Sequence, residues 1–234
     1  KSLNESLLHA SVHNNNSLEI DFIDSEDITK KSLKRLKNLQ GIVVPGGFGN
    51  RGVEGKILAA NFARINHIPY FGICLGMQIS VIEFARNILG LKDANSTEFD
   101  LKTPFPVISL VTEWDDYKKG KLKGSLRQMG GTMRLGAQSC TLLKKTLAYS
   151  LYKKNIISER HRHRYEVNNK FVNRFNETDL VFSGYSGNKD LMEMLELKHH
   201  PWYLASQFHP EFTSSPLKGH PLFNSFIKTA YETK

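Results

Sequence analysis

A cysteine set between two glycines is the first residue whose surroundings suggest chemistry. Cys74 is the centre of the run Gly72-Ile73-Cys74-Leu75-Gly76, which follows a short apolar segment and precedes a helical pattern. A Gly-x-nucleophile-x-Gly turn between a strand and a helix holds its nucleophile in a strained conformation, so the flanking residues must be small. The N–H groups at the start of the helix are expected to favour the thiolate. We therefore predict that Cys74 is a nucleophile rather than a thiol packed as a small hydrophobic group.

A thiol nucleophile needs a base and a group that orients the base, and the best candidates are His209 and Glu211. They flank a proline directly after a predicted strand, and of the nine histidines only His209 has this setting. The carboxylate of Glu211 can fix the tautomer of the imidazole. His161 and His163 are the rivals, but they alternate with arginines whose positive charge makes them poor bases.

A glycine-rich loop is the third part of the predicted site. Residues 46–49, Gly-Gly-Phe-Gly, follow the apolar strand pattern of residues 41–44. Glycines let backbone N–H groups approach a ligand closely, and the N–H of Leu75 is the second expected donor to an oxyanion. A phosphate-binding loop is the competing interpretation. The loop lacks both the Gly-Lys-Ser/Thr ending and the Gly-x-Gly-x-x-Gly order of such loops.

The elements that must position these groups alternate along the first half of the chain. Short apolar strands between helices predict parallel strands with right-handed crossovers, and hence an α/β fold with a mostly parallel central sheet. Predicted strands cover residues 18–23, 41–44, 68–73, 107–111, 137–143, 180–186, 192–197 and 203–208, and predicted helices cover residues 1–10, 30–39, 53–66, 75–89 and 221–231. Residues 129–136 are too rich in glycine for a helix and are predicted as a loop or lid. Residues 1–234 are predicted to form one domain, and the strand that usually opens such a sheet is expected to be missing before residue 1.

Composition excludes several classes of protein. No apolar run reaches the roughly 18 residues of a membrane span, and the first ten residues lack the apolar stretch of a signal peptide. Two cysteines, Cys74 and Cys140, cannot build a disulfide framework, which favours a reducing compartment and a cytoplasmic location. The formal charge of +9 is spread along the whole chain, which indicates solvated faces rather than a nucleic-acid groove.

Three motifs together resemble those of the class I (triad) glutamine amidotransferases. They are Pro45-Gly46-Gly47-Phe48-Gly49, Gly72-Ile73-Cys74-Leu75-Gly76-Met77-Gln78 and Phe208-His209-Pro210-Glu211. Longer runs resemble the glutaminase domains of CTP synthases, namely residues 51–57, 81–86, 93–99, 130–136 and 159–166. The resemblance implies a three-layer α/β sandwich that hydrolyses L-glutamine through a cysteine thioester.

The resemblance also implies a role for each matching residue. Cys74 would be the nucleophile, His209 the base and Glu211 its orienting group. Glu98 and Arg164 would bind the α-amino and α-carboxylate groups of glutamine, as opposite charges should. The rest of the pocket would be lined by Gly47, Leu75, Gly76, Met77 and Gln78.

The partners and cofactors implied by the resemblance lie outside this domain. An amidoligase domain, N-terminal in the same polypeptide and absent from this chain, would bind ATP, Mg and UTP, and the complete enzyme is expected to be a homo-oligomer. GTP would act as activator, through regions around residues 52–54 and 130–136. No cofactor or metal is expected in this domain. The alternatives are a glutaminase that serves another amidotransferase, which the runs at 93–99 and 160–166 disfavour, and a basic module that binds nucleic acid.

Overall fold

Twelve strands and six α-helices are found in the computed structural model, which describes residues 1–110, 113–116, 120–123, 133–187 and 190–233. The strands are β1 Ile42–Val44, β2 Tyr70–Ile73, β3 Ala94–Ser96, β4 Phe105–Leu110, β5 Glu113–Asp116, β6 Gly120–Lys123, β7 Arg134–Leu142, β8 Ile156–His163, β9 Tyr165–Val167, β10 Leu180–Ser186, β11 Met192–Leu197 and β12 Tyr203–Ser206. The helices are α1 Ser2–His13, α2 Val53–Ile65, α3 Leu75–Asn87, α4 Leu147–Tyr152, α5 Asn169–Asn176 and α6 Pro221–Glu232.

The central sheet has the strand order β1-β2-β12-β11-β10-β7-β8. Strand β2 pairs in parallel with β1 and β12, and the other four neighbouring pairs are antiparallel. Five strands (β1, β2, β12, β10 and β8) consequently point one way and two (β11 and β7) the other, so the predicted mostly parallel sheet is a mixed one. Strands β3, β4 and β9 form a small second sheet, and β5 pairs with β6 as a hairpin.

Helices cover both faces of the central sheet. Neighbouring residues of β2 point to opposite faces, so that Tyr70 joins one hydrophobic cluster and Phe71 the other. The Tyr70 cluster also holds the buried sides of α2 and α3, represented by Ile57 and Val81, and the Phe71 cluster holds those of α1, α4 and α6. The α/β fold class and the three layers predicted from the sequence are confirmed.

Two predicted elements are wrong. Residues 18–23 pack Leu18 and Ile20 against the Phe71 cluster but form no described strand, because alternating burial also suits an extended segment without a neighbouring strand. The helix predicted over residues 30–39 is only the 3-10 turn Leu33–Leu36. Its leucines lie three residues apart, which is the repeat of a 3-10 turn rather than of an α-helix.

Strand β8 was not predicted, because the residues on its buried side are polar. Burial alternates along the strand, and Glu159, His161 and His163 point inward while the arginines between them are exposed. Without an apolar period of two, the sequence gives no strand signal there. Helices α4 and α5 were missed as well.

Half of the segment predicted as a loop or lid, residues 129–136, lies outside the described residues. Residues 129–132 and most of the basic stretch 117–128 are not described, and Arg134 already belongs to β7, so the end of the predicted loop is a strand. None of the helices that the structure describes is long and apolar enough to cross a membrane. Both cysteines are free and buried. The cytoplasmic location stays a prediction.

Candidate active site

The turn between β2 and α3 holds Cys74 in a strained backbone conformation. Its φ is 54° and its ψ is −101°, which few residues with a β-carbon adopt. The backbone N–H of Cys74 donates to the carbonyl of Ser206 at the end of β12, at 2.7 Å. Strain of this kind persists where surrounding contacts hold it, and it is common at reactive residues.

Both glycines of the turn are required by close backbone contacts. A β-carbon on Gly72 would lie 2.6 Å from the carbonyl oxygen of Gly76. A β-carbon on Gly76 would collide with the carbonyl oxygen of Val44 at the end of β1. The small residues that the sequence analysis required therefore allow β1, β2 and α3 to meet beneath the thiol.

His209 is held by a carboxylate on one ring nitrogen. Its Nδ1 lies 2.7 Å from Oε1 of Glu211, its backbone N–H donates to the carbonyl of Arg160, and its ring stacks on Phe212 with centroids 5.2 Å apart. A carboxylate partner places the proton on Nδ1 and leaves Nε2 as an acceptor. Nε2 is buried and has no hydrogen-bond partner among the described residues, so it is available to take a proton.

Cys74 and His209 lie on the same side of the glycine-rich loop. A β-carbon built on Gly46 would be 2.7 Å from Cε1 of His209 and 3.5 Å from Cβ of Cys74. Both side chains line one cleft, which Glu211, Gly46, Gly47, Phe48 and Arg162 also line. The structure thus brings together the nucleophile, base and orienting group that the sequence analysis paired.

Cys74 also lines a second pocket, which contains opposite charges. Glu98 and Arg164, the two residues expected to bind the ends of an amino acid, both line it with Cys74. The Oε1 atom of Glu98 accepts a hydrogen bond of 2.8 Å from the N–H of Gly49, which fixes the carboxylate beside the glycine-rich loop. The other lining residues are Gly47, Phe48, Gln78, His163 and Tyr165.

The other residues predicted to line the pocket lie beneath it. The side chains of Leu75 and Met77 are buried in the cluster around Tyr70, and Gly76 faces Val44. Their part in the site is therefore limited to backbone groups. A β-carbon on Gly47 would lie 3.3 Å from Cδ2 of Leu75, so the two segments expected to supply oxyanion donors are adjacent.

The thiol of Cys74 is neutral in the free protein. Burial raises its pKa to about 12; the N–H of Leu75 lowers it, while the charges of Glu211, Glu166 and Glu98 raise it further. The expectation that the helix N-terminus makes Cys74 a thiolate is therefore wrong for the free protein, because desolvation of the charged form is the larger effect. A base must remove the proton as the reaction begins, and His209 is placed to do so.

A buried ionic cluster behind the pocket was missed. Arg134 is 4% exposed and lies 2.7 Å from carboxylate oxygens of both Glu166 and Glu193. Nδ1 of His161 and Nε2 of His163 are 2.8 Å apart in the same cluster. Burial, and next the charge of Arg134, lower the pKa of both histidines. They are therefore poor bases, as predicted, but the main cause is burial and not the charge of the arginines beside them in sequence. Among the described residues, no group of three or more His, Cys, Asp or Glu side chains could hold a metal ion.

Solved structures with a similar fold include amidotransferases. The glutaminase domain of Trypanosoma brucei CTPS, with acivicin bound, superposes with a TM-score of 0.88 and 37% sequence identity, covering 99% of this chain and 87% of that chain. A protein from Thermoplasma acidophilum, assigned to a GMP synthase, gives a TM-score of 0.57 at 16% identity, with 98% and 89% covered. A glutamine amidotransferase from Thermotoga maritima gives 0.54 at 11% identity, with 95% and 88% covered. The last two show the fold alone.

A family model covers nearly the whole chain. The model described as glutamine amidotransferase class-I matches residues 1–229, a range that contains every residue of the cleft and the pocket named above. Together with the 37% identity to the trypanosome domain over nearly the whole chain, this match settles the family. The chain belongs to the class I glutamine amidotransferases.

Proposed function

We propose that this chain is the glutaminase domain of a CTP synthase. It hydrolyses L-glutamine at Cys74 and supplies ammonia to an amidoligase domain, which uses ATP to convert UTP to CTP. The observation that carries the proposal is that Cys74 lines two cavities, one with His209 and Glu211 and one with the opposite charges of Glu98 and Arg164. The identity to the trypanosome CTPS domain supports the choice of pathway.

The charged pair suits the constant part of an amino acid. Glu98 would face the α-ammonium group of glutamine and Arg164 its α-carboxylate, as charge-assisted hydrogen bonds require. The side chain of the substrate then extends toward Cys74, which lines the same pocket. A pocket with one carboxylate and one guanidinium distinguishes a zwitterion from a simple amide.

The first half of the reaction releases ammonia. Nε2 of His209 takes the thiol proton as the sulfur of Cys74 attacks the amide carbon of glutamine, and the carbonyl π bond opens to an oxyanion. N–H groups of Leu75 and of the loop at residues 46–49 would bind that oxyanion. His209 then gives its proton to the amine, the C–N bond breaks, and ammonia leaves with a thioester on Cys74.

The second half restores the enzyme. His209 takes a proton from a water molecule as the water oxygen attacks the thioester carbon. The C–S bond then breaks, and His209 returns that proton to the sulfur. Glutamate is the second product. Glu211, 2.7 Å from Nδ1, holds the ring in place and stabilises the imidazolium form in both halves.

The cofactors are proposed for the complete enzyme rather than for this domain. ATP, Mg and UTP would bind the amidoligase domain of the same polypeptide, and the enzyme would be a homo-oligomer activated by GTP. These proposals depend on the resemblance of long motifs such as residues 93–99. The GTP-linked region at residues 130–136 lies partly outside the described residues.

The experiment is covalent labelling of the chain with acivicin, the compound bound in the trypanosome relative. We expect acivicin to label Cys74 and excess glutamine to protect it, because both would occupy the pocket of Glu98 and Arg164. Cys140 is an internal control, since it is equally buried but lies outside both the cleft and the pocket. Release of glutamate and ammonia from glutamine is measured in parallel. Labelling of Cys74 that glutamine does not slow would contradict the assigned pocket.

A further inference from the structure

A buried carboxamide lies against the sulfur of the nucleophile. Gln207 follows β12 directly, is completely buried, and its Nε2 is 3.7 Å from Sγ of Cys74. Its backbone N–H donates to the carbonyl of Glu193, which fixes the position of the main chain. The segment that carries the base His209 therefore also carries a second polar group directed at the sulfur.

The orientation of this carboxamide follows from its neighbours. The backbone carbonyl of Tyr165 can only accept, so the group of Gln78 that lies 3.0 Å from it must be its NH₂ group. The same NH₂ group lies 3.3 Å from Oε1 of Gln207, which accepts its second N–H. The NH₂ group of Gln207 is then the one that faces the sulfur. Gln78 therefore donates to Tyr165 and to Gln207, and Gln207 donates to Cys74.

We propose that Gln207 is a catalytic hydrogen-bond donor to the sulfur of Cys74, which it orients and stabilises as negative charge develops there. When the thiol proton moves to Nε2 of His209, the electron pair left on the sulfur accepts the N–H of Gln207 more strongly. The thiol is 2% exposed, so water supplies little of this stabilisation. The inference depends on the proposed role of Cys74 as nucleophile.

The charges around the sulfur make a neutral donor useful. The charges that act on the pKa of Cys74 are those of three carboxylates, Glu211, Glu166 and Glu98, and a thiolate among carboxylates is disfavoured. The other ionisable side chains beside Cys74 are His209, Arg162 and Lys1 in the cleft and His163 and Arg164 in the pocket. A carboxamide held by Gln78 adds a donor without adding a charge that would itself have to be buried.

The test is the pH dependence of Cys74 alkylation by iodoacetamide in Gln207→Met. Methionine has a similar volume and no N–H, so the packing is kept and the donor is lost. A hydrogen bond to a charged group changes an equilibrium constant by roughly tenfold or more. The rate of Cys74 alkylation, at pH values below the plateau of the profile, should therefore fall by about that factor. The profile should move to higher pH. We expect kcat for glutamine to fall similarly and KM to stay within about twofold, since Gln207 does not line the glutamine pocket.

Gln138→Met is the matched control. Gln138 is a half-buried carboxamide that accepts from Arg134 and does not contact the sulfur. Its replacement should leave the alkylation profile in place. An unchanged profile in folded Gln207→Met, or an equal shift in Gln138→Met, would overturn the proposal.

A measurement on the unmodified chain avoids dependence on a variant that fails to fold. At a pH well below 12, the side-chain N–H of Gln207 that faces the sulfur should exchange with solvent, as measured by NMR, more slowly in the parent than in Cys74→Ala, because only the parent offers it an acceptor. Equal exchange in the two proteins would contradict the contact. Alkylation and NMR need no turnover. If the chain did not hydrolyse glutamine, the proposed function would be wrong. Alkylation and NMR would still test the contact between Gln207 and Cys74.

Discussion

Two local features of Cys74 bear on its role as nucleophile. Its backbone has a positive φ with a β-carbon present, and its thiol is buried among carboxylates that raise its pKa. The backbone conformation lowers the stability of the folded state by on the order of 1–3 kcal/mol, whereas the raised pKa keeps the thiol neutral and opposes formation of the thiolate. The surrounding contacts, above all the hydrogen bond to Ser206, keep the residue in place.

The strain at Cys74 can be measured by comparing two inactive variants. Cys74→Ala keeps the β-carbon, whereas Cys74→Gly removes it. In ordinary positions glycine is less stable than alanine by about 0.5–1 kcal/mol. Here we expect the reverse, with the glycine variant more stable by about 1 kcal/mol or more, because a positive φ suits glycine. Urea unfolding measures the difference, and a less stable glycine variant would show that the turn is not strained.

The glycine after the nucleophile provides a prediction about packing. Gly76→Ala would force the carbonyl of Val44 away from α3, so we expect a loss of about 3 kcal/mol or more in unfolding free energy, together with loss of activity. The matched control is Gly90→Ala. Gly90 has a φ of 71° and open space around it, so its replacement should cost only the left-handed strain of about 1–2 kcal/mol. Equal losses in the two variants would contradict the predicted collision.

Three strands are joined by the buried cluster around Arg134. The guanidinium of Arg134 on β7 lies between Glu166 on β9 and Glu193 on β11, which links the small second sheet to the central one. Two carboxylates share one guanidinium in a fully buried place. Burial raises the pKa of Glu166 to about 8 and that of Glu193 in the same direction, and Arg134 offsets only part of this effect. One carboxylate therefore holds a proton near neutral pH.

This proton makes stability depend on pH in a stated direction. The pKa of Glu166 is raised from 4.5 to about 8, so the native state binds more protons than the unfolded state between these values. The contribution of protonated Glu166 to the free energy of unfolding is fully present at low pH and is lost as the pH rises toward 8. In Glu166→Gln this loss should be absent. The stability of the variant relative to the parent should rise by up to about 1.4 kcal/mol per pH unit in that window.

Urea unfolding of both proteins at several pH values measures this difference. The lowered pKa values of His161 and His163 act in the opposite direction below pH 6.5, but they are present in both proteins and cancel in the comparison. Glu54→Gln is the control, because Glu54 is an exposed partner of Arg86. Its stability relative to the parent should not change with pH in this window. A parallel pH dependence of parent and Glu166→Gln would show that Glu166 is ionised throughout.

Elements with an apolar pattern were predictable from the sequence, and those held by polar contacts were not. The turn at Cys74 was found because its glycines and its place between an apolar strand and a helix are local signals. Strand β8 gave no such signal, since three of its four buried residues are the polar Glu159, His161 and His163. Gln207 was missed for a related reason. A glutamine beside His209 carries chemical meaning only once the fold places Gln78 and Cys74 against it.

In the whole molecule the site forms where three parallel strands end. Residues 46–49 follow β1, Cys74 follows β2, and His209 lies just beyond β12, and these strands are neighbours in the order β1-β2-β12. Carboxyl ends of parallel strands meet at one edge of a sheet, which is where α/β folds bind ligands. The sequence predicted this convergence because each loop follows an apolar strand. Strands β11, β10, β7 and β8 complete the sheet beyond β12 through antiparallel pairs, and the pairing of β10 with β7, which are far apart in sequence, has no local signature.

The division of the molecule into a site for ammonia release and a site for ammonia use leads to the last prediction. In the complete two-domain enzyme, Cys74→Ala should abolish CTP formation from glutamine, because no thioester can form without the sulfur. The same variant should still make CTP from UTP, ATP and added ammonia, since that reaction is proposed for the amidoligase domain. His209→Ala should behave likewise and retain a trace of thioester formation, because a thiol can lose its proton slowly without a base. CTP production is measured with each nitrogen source, and Cys140→Ala serves as the control, with both activities expected to remain. If folded Cys74→Ala loses both activities, then Cys74 is more than a glutaminase nucleophile and the two reactions are not separate.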